Sequence, residues 1–123
     1  MPPVAIASRN GEKCEEYAKT LREQDYAAYG MALDLSDDGS IQNFTDEVYR
    51  KFGRIDILVN NAVDRRNMTS LQDATRQKLQ DSVSVNLNGQ MLLSQAVLRY
   101  MIPQKKDSII NISSMRGLDC RCN

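Results

Sequence analysis

The sequence lacks several features that mark particular classes of protein. Its 123 residues carry 16 basic and 16 acidic side chains, so no net charge draws it to nucleic acid or an anionic membrane. Its apolar runs reach only four or five residues, far fewer than a membrane-spanning helix needs. The N-terminus has neither the basic start nor the apolar core of a signal peptide. The three cysteines are odd in number and show no framework spacing, which favours reduced thiols in the cytoplasm.

The order of the short apolar segments indicates the fold class. The chain contains no repeat, low-complexity tract or internal linker, and its length suits a single domain. Short apolar runs predict strands over residues 4–7, 28–33, 55–59 and 108–112. Helical patterns lie between them, and this alternation favours a parallel α/β sheet.

Three main helices are predicted from their caps and apolar stripes. The first is capped by Asn10, and its apolar stripe consists of Cys14, Tyr17, Ala18 and Leu21. The second is capped by Ser36 and stopped by Gly53, and its stripe consists of Ile41, Phe44, Val48 and Phe52. The third starts near Thr75 and ends before Pro103, with four-residue steps at Leu79, Val83, Leu87 and Met91. Between Leu87 and Val97 it is apolar on more than one face, so we expect it to be heavily buried.

Small or polar residues follow every predicted strand. These strand ends are Ser8-Arg9-Asn10, Asp34-Leu35, Asn60-Asn61-Ala62 and Ser113-Ser114. Each set alone has an ordinary explanation as a turn former, a helix cap or solvated surface. Because open parallel sheets bind ligands outside the carboxyl ends of their strands, four such ends together favour a ligand site.

Four segments resemble motifs of the short-chain dehydrogenase/reductase family, in the family's order and spacing. Residues 32–37 (ALDLSD) are similar to the family's aspartate after the third strand, and residues 54–62 (RIDILVNNA) resemble its strand with the NNAG motif. Residues 85–89 (VNLNG) and 110–117 (INISSMRG) resemble its VNLxG and INISSxxG segments. The resemblance runs from Val4 to Gly117. It implies an incomplete Rossmann-type, doubly wound parallel sheet of four strands and three main helices, with residues 1–123 as a single partial NAD(P)-binding domain.

The resemblance also implies a role for each strand end in holding the cofactor. Arg9 falls where the adenosine ribose sits, and with the Ser8 hydroxyl it suits a 2′-phosphate, which favours NADP over NAD. Asp34 and Leu35 resemble the pair that contacts the adenine. Asn60, Asn61 and Ala62 resemble the turn beside the adenosine. The family's next residue is glycine and here it is Val63, so this turn must differ or need no positive φ.

The catalytic residues are only partly represented. Ser114 matches the family's catalytic serine, and Asn86 matches the asparagine whose backbone helps to hold a water in the proton relay, although a buried amide with local partners would explain Asn86 as well. The family's Tyr-x-x-x-Lys motif and its TGxxxGxG turn do not occur in the 123 residues. We therefore expect no turnover by this chain alone, since the general acid and the pyrophosphate turn are missing. Cys120 and Cys122 are two thiolates without further ligands nearby, so no metal site is expected.

Two classes of function remain open at this stage. The resemblance implies an oxidoreductase that moves a hydride between NADP and a small alcohol or carbonyl substrate. The alternative is a non-catalytic fragment or a binding module that associates with a second copy through the long helix, residues 76–101. A free-standing nucleotide-binding or receiver-like domain would need its own phosphate-binding or acidic site, and the sequence shows neither.

The implied topology predicts a gap in the sheet. In the doubly wound order 3-2-1-4-5, the family's first strand lies between its second and fourth, and the segments at residues 4–8 and 55–59 correspond to those two neighbours. The strand at residues 4–8 should pair with residues 28–33, and the strand at 55–59 with residues 108–112. A slot of about 9–10 Å would separate the pairs. Unpaired edges are costly, so three outcomes remain: the pairs close up, another chain inserts a strand, or the protein is partly molten. In an ordered structure we expect closure or association.

Overall fold

The computed structural model describes residues 2–67 and 69–114. Its four strands are β1 (Val4–Ser8), β2 (Ala28–Ala32), β3 (Ile57–Asn60) and β4 (Ser108–Asn111). Its α-helices are α1 (Gly11–Arg22), α2 (Asp38–Phe52), α3 (Arg76–Val83) and α4 (Gln90–Gln104). A π-helical segment, Ser84–Gly89, joins α3 to α4, and a single 3-10 turn, Leu71–Asp73, precedes α3.

The strands form two parallel pairs. β1 pairs with β2, with Val4 opposite Ala28, and β3 pairs with β4, with Ile57 opposite Ser108. This confirms the α/β class and the incomplete Rossmann-type sheet. Of the two expected outcomes, closure of the pairs is wrong, because the described residues form two separate two-stranded sheets; association of another chain stays a prediction.

Both strand pairs pack against one apolar core. The core is built from β2, α2, α4 and the segments beside them, and its buried members include Met31, Leu33, Ile41, Val48, Leu93, Val97 and Met101. Side chains from both strand pairs pack against this cluster, among them Ala5 and Ala7 of β1, Leu58 of β3 and Ile109 of β4. Closing the pairs would therefore require the helices beneath them to shift.

Helix α1 covers the other face of β1 and β2. Asn10 caps it as predicted, since its Oδ1 accepts from the N–H of Lys13 at 3.1 Å, and Cys14 and Ala18 are buried. Gly30 permits the close approach, because a Cβ there would overlap the backbone of α1 at Cys14 and Glu15. The apolar stripe of α1 predicts that Tyr17 is buried, and this is wrong, because Tyr17 is 69% exposed. Cys14 and Ala18 alone are the buried residues of α1, since the two strands beneath it are narrow.

The N-cap of helix α2 lies one residue later in the chain than the predicted Ser36. Asp37 is the N-cap and its carboxylate accepts from the N–H of Gly39 at 2.9 Å. Ser36 instead donates to Asp34. Gly53 ends the helix as predicted, in the left-handed conformation with φ of 73°.

The long predicted helix is two helices joined by the π segment, and its burial is one-sided. Leu93, Ala96, Val97 and Met101 are buried, whereas the four-residue steps at Leu79, Val83, Leu87 and Met91 are exposed. Heavy burial was therefore a wrong expectation, because α2 and β3 cover only one side of α4 in the described chain. The helix also continues through Pro103 to Gln104. No helix among the described residues combines the length and apolar character that crossing a membrane requires.

Candidate functional site

The carboxyl end of β1 and the start of α1 form an open groove. It is lined by Ser8, Arg9, Asn10, Gly11 and Glu12. The Ser8 hydroxyl accepts from the N–H of Asn10 at 3.2 Å and lies 3.1 Å from the sulfur of Cys14. These contacts hold the turn that leads into α1, where unpaired backbone N–H groups favour an anion.

A buried carboxylate connects this groove to the end of β3. Asp64 has a side chain that is 4% exposed and lies 4.0 Å from the guanidinium of Arg9, whose side chain is 46% exposed. Arg66 grips the same carboxylate with Nε at 3.0 Å and Nη2 at 2.6 Å. Arg66 donates through its side chain and its backbone N–H, and these bonds hold the pKa of Asp64 far below its ordinary value. One charged carboxylate thus contacts two arginines, of which Arg9 lines the groove.

Asp34 is a second ionised carboxylate beside these arginines. Its Oδ1 accepts from the Ser36 hydroxyl at 2.6 Å and from the Ser36 N–H at 2.9 Å. The hydroxyl bond, then the N–H bond, lower the pKa of Asp34, and the nearby Arg9 and Arg66 add to that effect. Leu35, its predicted partner at the adenine, has a buried side chain that belongs to the apolar core.

The three residues at the carboxyl end of β3 have different roles. Asn60 is buried, and its Nδ2 donates to Ser94 Oγ at 3.0 Å and to Asn111 Oδ1 at 2.8 Å, which ties β3 to α4 and β4. Asn61 is exposed, and the carbonyl of Ala62 accepts from the side chain of Gln90 at 2.6 Å. Only Asn61 and Ala62 therefore remain open to a ligand.

Val63 resolves the question raised by the missing glycine. Within the described residues, positive φ occurs only at Asp25, Lys105 and Gly53. Val63 is therefore unstrained, and the turn does without the geometry that a β-branched residue resists.

Asn86 lies in the π-helical segment, and its amide pairs with the backbone of Asp64. The N–H of Asp64 donates to Asn86 Oδ1 at 2.7 Å, and Asn86 Nδ2 donates to the Asp64 carbonyl at 3.0 Å. Single-turn π segments are rare inside α-helices and occur frequently at functional sites, because they disturb the regular backbone bonding.

Ser114 is exposed and follows β4 by three residues, at the same edge of the β3–β4 pair as the loop after Asn60. Met115, Arg116 and Gly117 of its motif lie outside the described residues, as do Cys120 and Cys122. Within the described part of the chain, no three metal-ligating side chains come together.

Sequence reasoning missed Asp64 and Arg66. Their signal was the run Asp-Arg-Arg that begins four residues after the end of β3, since a buried carboxylate needs a cationic partner. The pairing of this run with Arg9 depends on how β1 and β3 are placed, and local sequence pattern does not encode that placement.

The comparisons with known proteins agree on one family. The family model described as short chain dehydrogenase matches residues 2–122. D-threitol dehydrogenase of Mycolicibacterium smegmatis is 34% identical over 111 residues, covering 90% of this chain and 42% of the relative. Gluconate 5-dehydrogenase of Gluconobacter oxydans is 30% identical over 114 residues, covering 93% of this chain and 44% of the relative. The chain thus spans less than half the length of these curated relatives.

Solved structures show the same similarity in three dimensions. NAD⁺-bound xylitol dehydrogenase superposes with a TM-score of 0.88 at 28% identity, covering 97% of this chain and 46% of that structure. Gluconate 5-dehydrogenase from Burkholderia cenocepacia, in complex with NADP and tartrate, gives a TM-score of 0.85 at 33% identity over 95% of this chain and 46% of that structure. The fold, the strand-end residues and the match along nearly the whole chain together show that this protein belongs to the short-chain dehydrogenase/reductase family.

Proposed function

We propose that this chain holds the adenosine half of NADP, as part of a cytoplasmic oxidoreductase that acts on a small alcohol or carbonyl compound. The cofactor would supply or accept the hydride. The chain's own residues bind and orient the adenosine end: Arg9 and Ser8 hold the 2′-phosphate, and the ionised Asp34 accepts from the adenine amine. The loop residues Asn61 and Ala62 line the same end.

The carrying observation is the position of Arg9. Its guanidinium is half exposed at the groove and is held by the buried Asp64 at 4.0 Å, the outer limit of an ion pair. Arg66 makes the closer contacts to that carboxylate. Within the described contacts, most Arg9 donors are therefore available to a phosphate, which a guanidinium binds with charge-assisted bonds. Among the similar structures, one is described with NAD⁺ and another with NADP, so the preference proposed here rests on Ser8 and Arg9.

Binding of two small probes tests this preference. Residues 1–123 are titrated with 2′,5′-ADP and with 5′-AMP, which differ only in the 2′-phosphate, and amide chemical shifts report the affinities. We expect 2′,5′-ADP to bind more tightly. Arg9→Ala should remove about 1–3 kcal/mol of that preference, roughly 5- to 150-fold.

Lys13→Ala is the matched control, because it removes an exposed cation from the same helix start. It should leave the ratio of the two affinities within about twofold, since an exposed, screened charge contributes little. Equal affinities for the two probes in the unchanged chain would contradict the proposal.

For catalysis we propose roles for Ser114 and Asn86. Ser114 would bond the substrate oxygen, and the π-helical backbone at Asn86 would hold a water of the proton relay. Residues 1–123 contain neither Tyr-x-x-x-Lys nor TGxxxGxG, so we expect no turnover from them alone. NADPH oxidation with a panel of aldehydes and ketones should stay at the rate without protein. Turnover that Ser114→Ala abolishes would show that another group replaces the tyrosine.

A second candidate function is association through the long helix. Leu79, Val83, Leu87 and Met91 form an exposed apolar stripe along α3, the π segment and α4. A shallow groove lined by Leu79, Gln80, Val83 and Asn88 lies on the same surface. Exposed stripes of this kind favour pairing with an apolar helix. A second copy of the chain would supply such a helix. The two copies would then form a homo-oligomer through residues 76–101.

Sedimentation equilibrium separates this candidate from the first. Leu87→Glu should raise the dimer dissociation constant at least tenfold, because it places a charge within the stripe. Leu71→Glu is the control, since Leu71 is exposed outside the stripe. A chain that stays monomeric at millimolar concentration would eliminate association through this helix and leave the cofactor proposal untouched.

A further inference from the structure

Helix α1 lies mainly over β2 and contacts β1 less. Among the described residues β2 has one strand neighbour, β1, so its other edge faces away from that pair. The outer edge of a strand carries backbone N–H and C=O groups with which a strand of another molecule can pair. The side chains of α1 that reach over this edge therefore decide whether such pairing can take place.

The outer edge of β2 consists of the backbone groups of Ala28, Gly30 and Ala32. The N–H of Leu33, directly after the strand, donates to the carbonyl of Ser8 at 2.8 Å, so the odd-numbered residues along β2 face β1. Backbone groups of alternate residues point to opposite sides of a strand. The N–H and C=O groups of the three even-numbered residues consequently point away from β1.

Two side chains of α1 bind two of these outer groups. Glu15 accepts from the N–H of Gly30 through Oε2, at 2.9 Å. Arg22 donates from Nη1 to the carbonyl of Ala28 at 2.7 Å. The Glu15 carboxylate also binds Nη2 of Arg22, so the two side chains form one continuous bridge along the edge from Ala28 to Gly30. We refer to Glu15 and Arg22 together as the edge cap.

The close approach of α1 to β2 makes the edge cap possible. A Cβ at Gly30 would overlap the backbone of Cys14 and Glu15, so the backbone of Glu15 lies close to the N–H that its side chain binds. Arg22 follows Glu15 by seven residues, about two helical turns, and therefore projects from the same side of α1. The bond from Arg22, then the bond from the Gly30 N–H, lower the pKa of Glu15, so the cap is charged at neutral pH.

Folding stability accounts for only a small part of this arrangement. The side chain of Glu15 is 51% exposed and that of Arg22 is 35% exposed, and exposed ion pairs contribute little to the free energy of folding. The strand Ala28–Ala32 (AYGMA) contains neither a charged residue nor a proline, two of the features that discourage pairing at a strand edge. The edge cap supplies the missing charges from the neighbouring helix.

We propose that the edge cap prevents β2 of one molecule from pairing with β2 of a second copy of this chain. A second copy carries the same uncharged strand, and two identical edges can pair in antiparallel orientation around a two-fold axis. An approaching strand must displace Glu15 from the N–H of Gly30 and Arg22 from the carbonyl of Ala28. With the edge cap in place this contact between copies does not form, and without it the outer groups of β2 are open to pairing.

Removing the edge cap should make the chain associate through β2. The double variant Glu15→Ala with Arg22→Ala removes one charge of each sign. The control, Glu16→Ala with Lys19→Ala, does the same at exposed positions of the same helix. Both are made in a chain that also carries Leu87→Glu, which disfavours association through the long helix. In sedimentation equilibrium, the dimer dissociation constant of the double variant should be at least tenfold lower than that of the control.

Hydrogen exchange identifies the surface that associates. In the double variant, the amide of Gly30 should exchange at least tenfold more slowly above the dissociation constant than below it. The amide of Ile6 faces β2 and should be protected at both concentrations, which reports that the fold is kept. In dilute samples, the Gly30 amide of the unchanged chain should exchange at least tenfold more slowly than that of Glu15→Ala, because the cap binds it directly.

Four results would overturn the proposal. Equal dissociation constants for the double variant and its control would show that the edge cap does not restrain association. Association that leaves the Gly30 amide fast would place the contact on another surface. A Gly30 amide that is equally fast in the unchanged chain and in Glu15→Ala would show that the cap does not form. Loss of protection at Ile6 in the double variant would assign the ion pair to folding instead.

Discussion

The side-chain amide of Asn86 pairs with the backbone of Asp64 as one strand pairs with another, accepting from its N–H at 2.7 Å and donating to its carbonyl at 3.0 Å. This pairing fixes the loop after β3 against the π segment. Asn86, 22 residues further along the chain, therefore helps to position the buried Asp64 carboxylate, which holds Arg66 and faces Arg9.

Replacing Asn86 by alanine should release that loop. Both bonds are lost, and the free energy of unfolding should fall by about 1–2 kcal/mol, since each net hydrogen bond contributes about 1 kcal/mol. The Asp64 amide should exchange at least tenfold faster, as measured by NMR. Asn88→Ala, an exposed change in the same π segment, should leave the Asp64 amide protected; equal effects of the two variants would refute the pairing.

Gly30 should not tolerate even a methyl group. A Cβ there overlaps the backbone of α1, which cannot move aside as a flexible side chain would. Gly30→Ala should cost about 1–3 kcal/mol or more of unfolding free energy, the range for overpacking, as measured by urea denaturation. Gly39→Ala is the control, because a Cβ added at Gly39 would meet only the side chain of Asp37, at 3.3 Å. We expect a smaller loss of unfolding free energy there. Comparable losses for the two variants would argue against tight packing of α1 on β2.

Acid should weaken the fold through Asp64. The Arg66 hydrogen bonds depress its pKa in the folded state, so its charged form stabilises the fold above the unfolded value of about 3.9. That stabilisation is lost as the pH falls from about 4 through the lower folded value. The Tm of the unchanged chain should therefore fall more steeply below about pH 4 than the Tm of Asp64→Asn. Asp107→Asn changes an exposed carboxylate, and its Tm should fall with pH as that of the unchanged chain does. If Tm falls equally with pH in the unchanged chain and in both variants, Asp64 is not the cause of the acid sensitivity.

Local signals were sufficient for the strands and for some caps. The pairings β1–β2 and β3–β4 were predictable because short apolar runs alternate with helices and the family order assigns their neighbours. Gly53 was predictable as a helix stop because glycine adopts the left-handed conformation at low cost. Ser36 is the wrong cap, because Asp37, the next residue, offers the same chemistry one position later.

Exposure depended on partners that a local pattern does not reveal. Tyr17 and Met91 continue apolar stripes, yet both are exposed, since nothing in the described residues covers those sides. The Asp64–Arg66 cluster escaped prediction for the same reason. Its burial and its contact with Arg9 arise where segments distant in sequence meet, which is a property of the assembled layer.

The arrangement of the pairs also sets the order in which they can form. β1 and β2 are separated by α1 alone, whereas β3 and β4 are separated by the 3-10 turn, α3, the π segment and α4. The entropic cost of closing a loop rises by about 0.6 kcal/mol for each doubling of the loop's length. Contacts between residues close in sequence therefore form sooner than contacts between residues far apart in sequence. The β1–α1–β2 unit is thus the natural nucleus of this chain, and in pulse-labelled exchange during refolding the Ile6 amide should gain protection before the Leu58 amide.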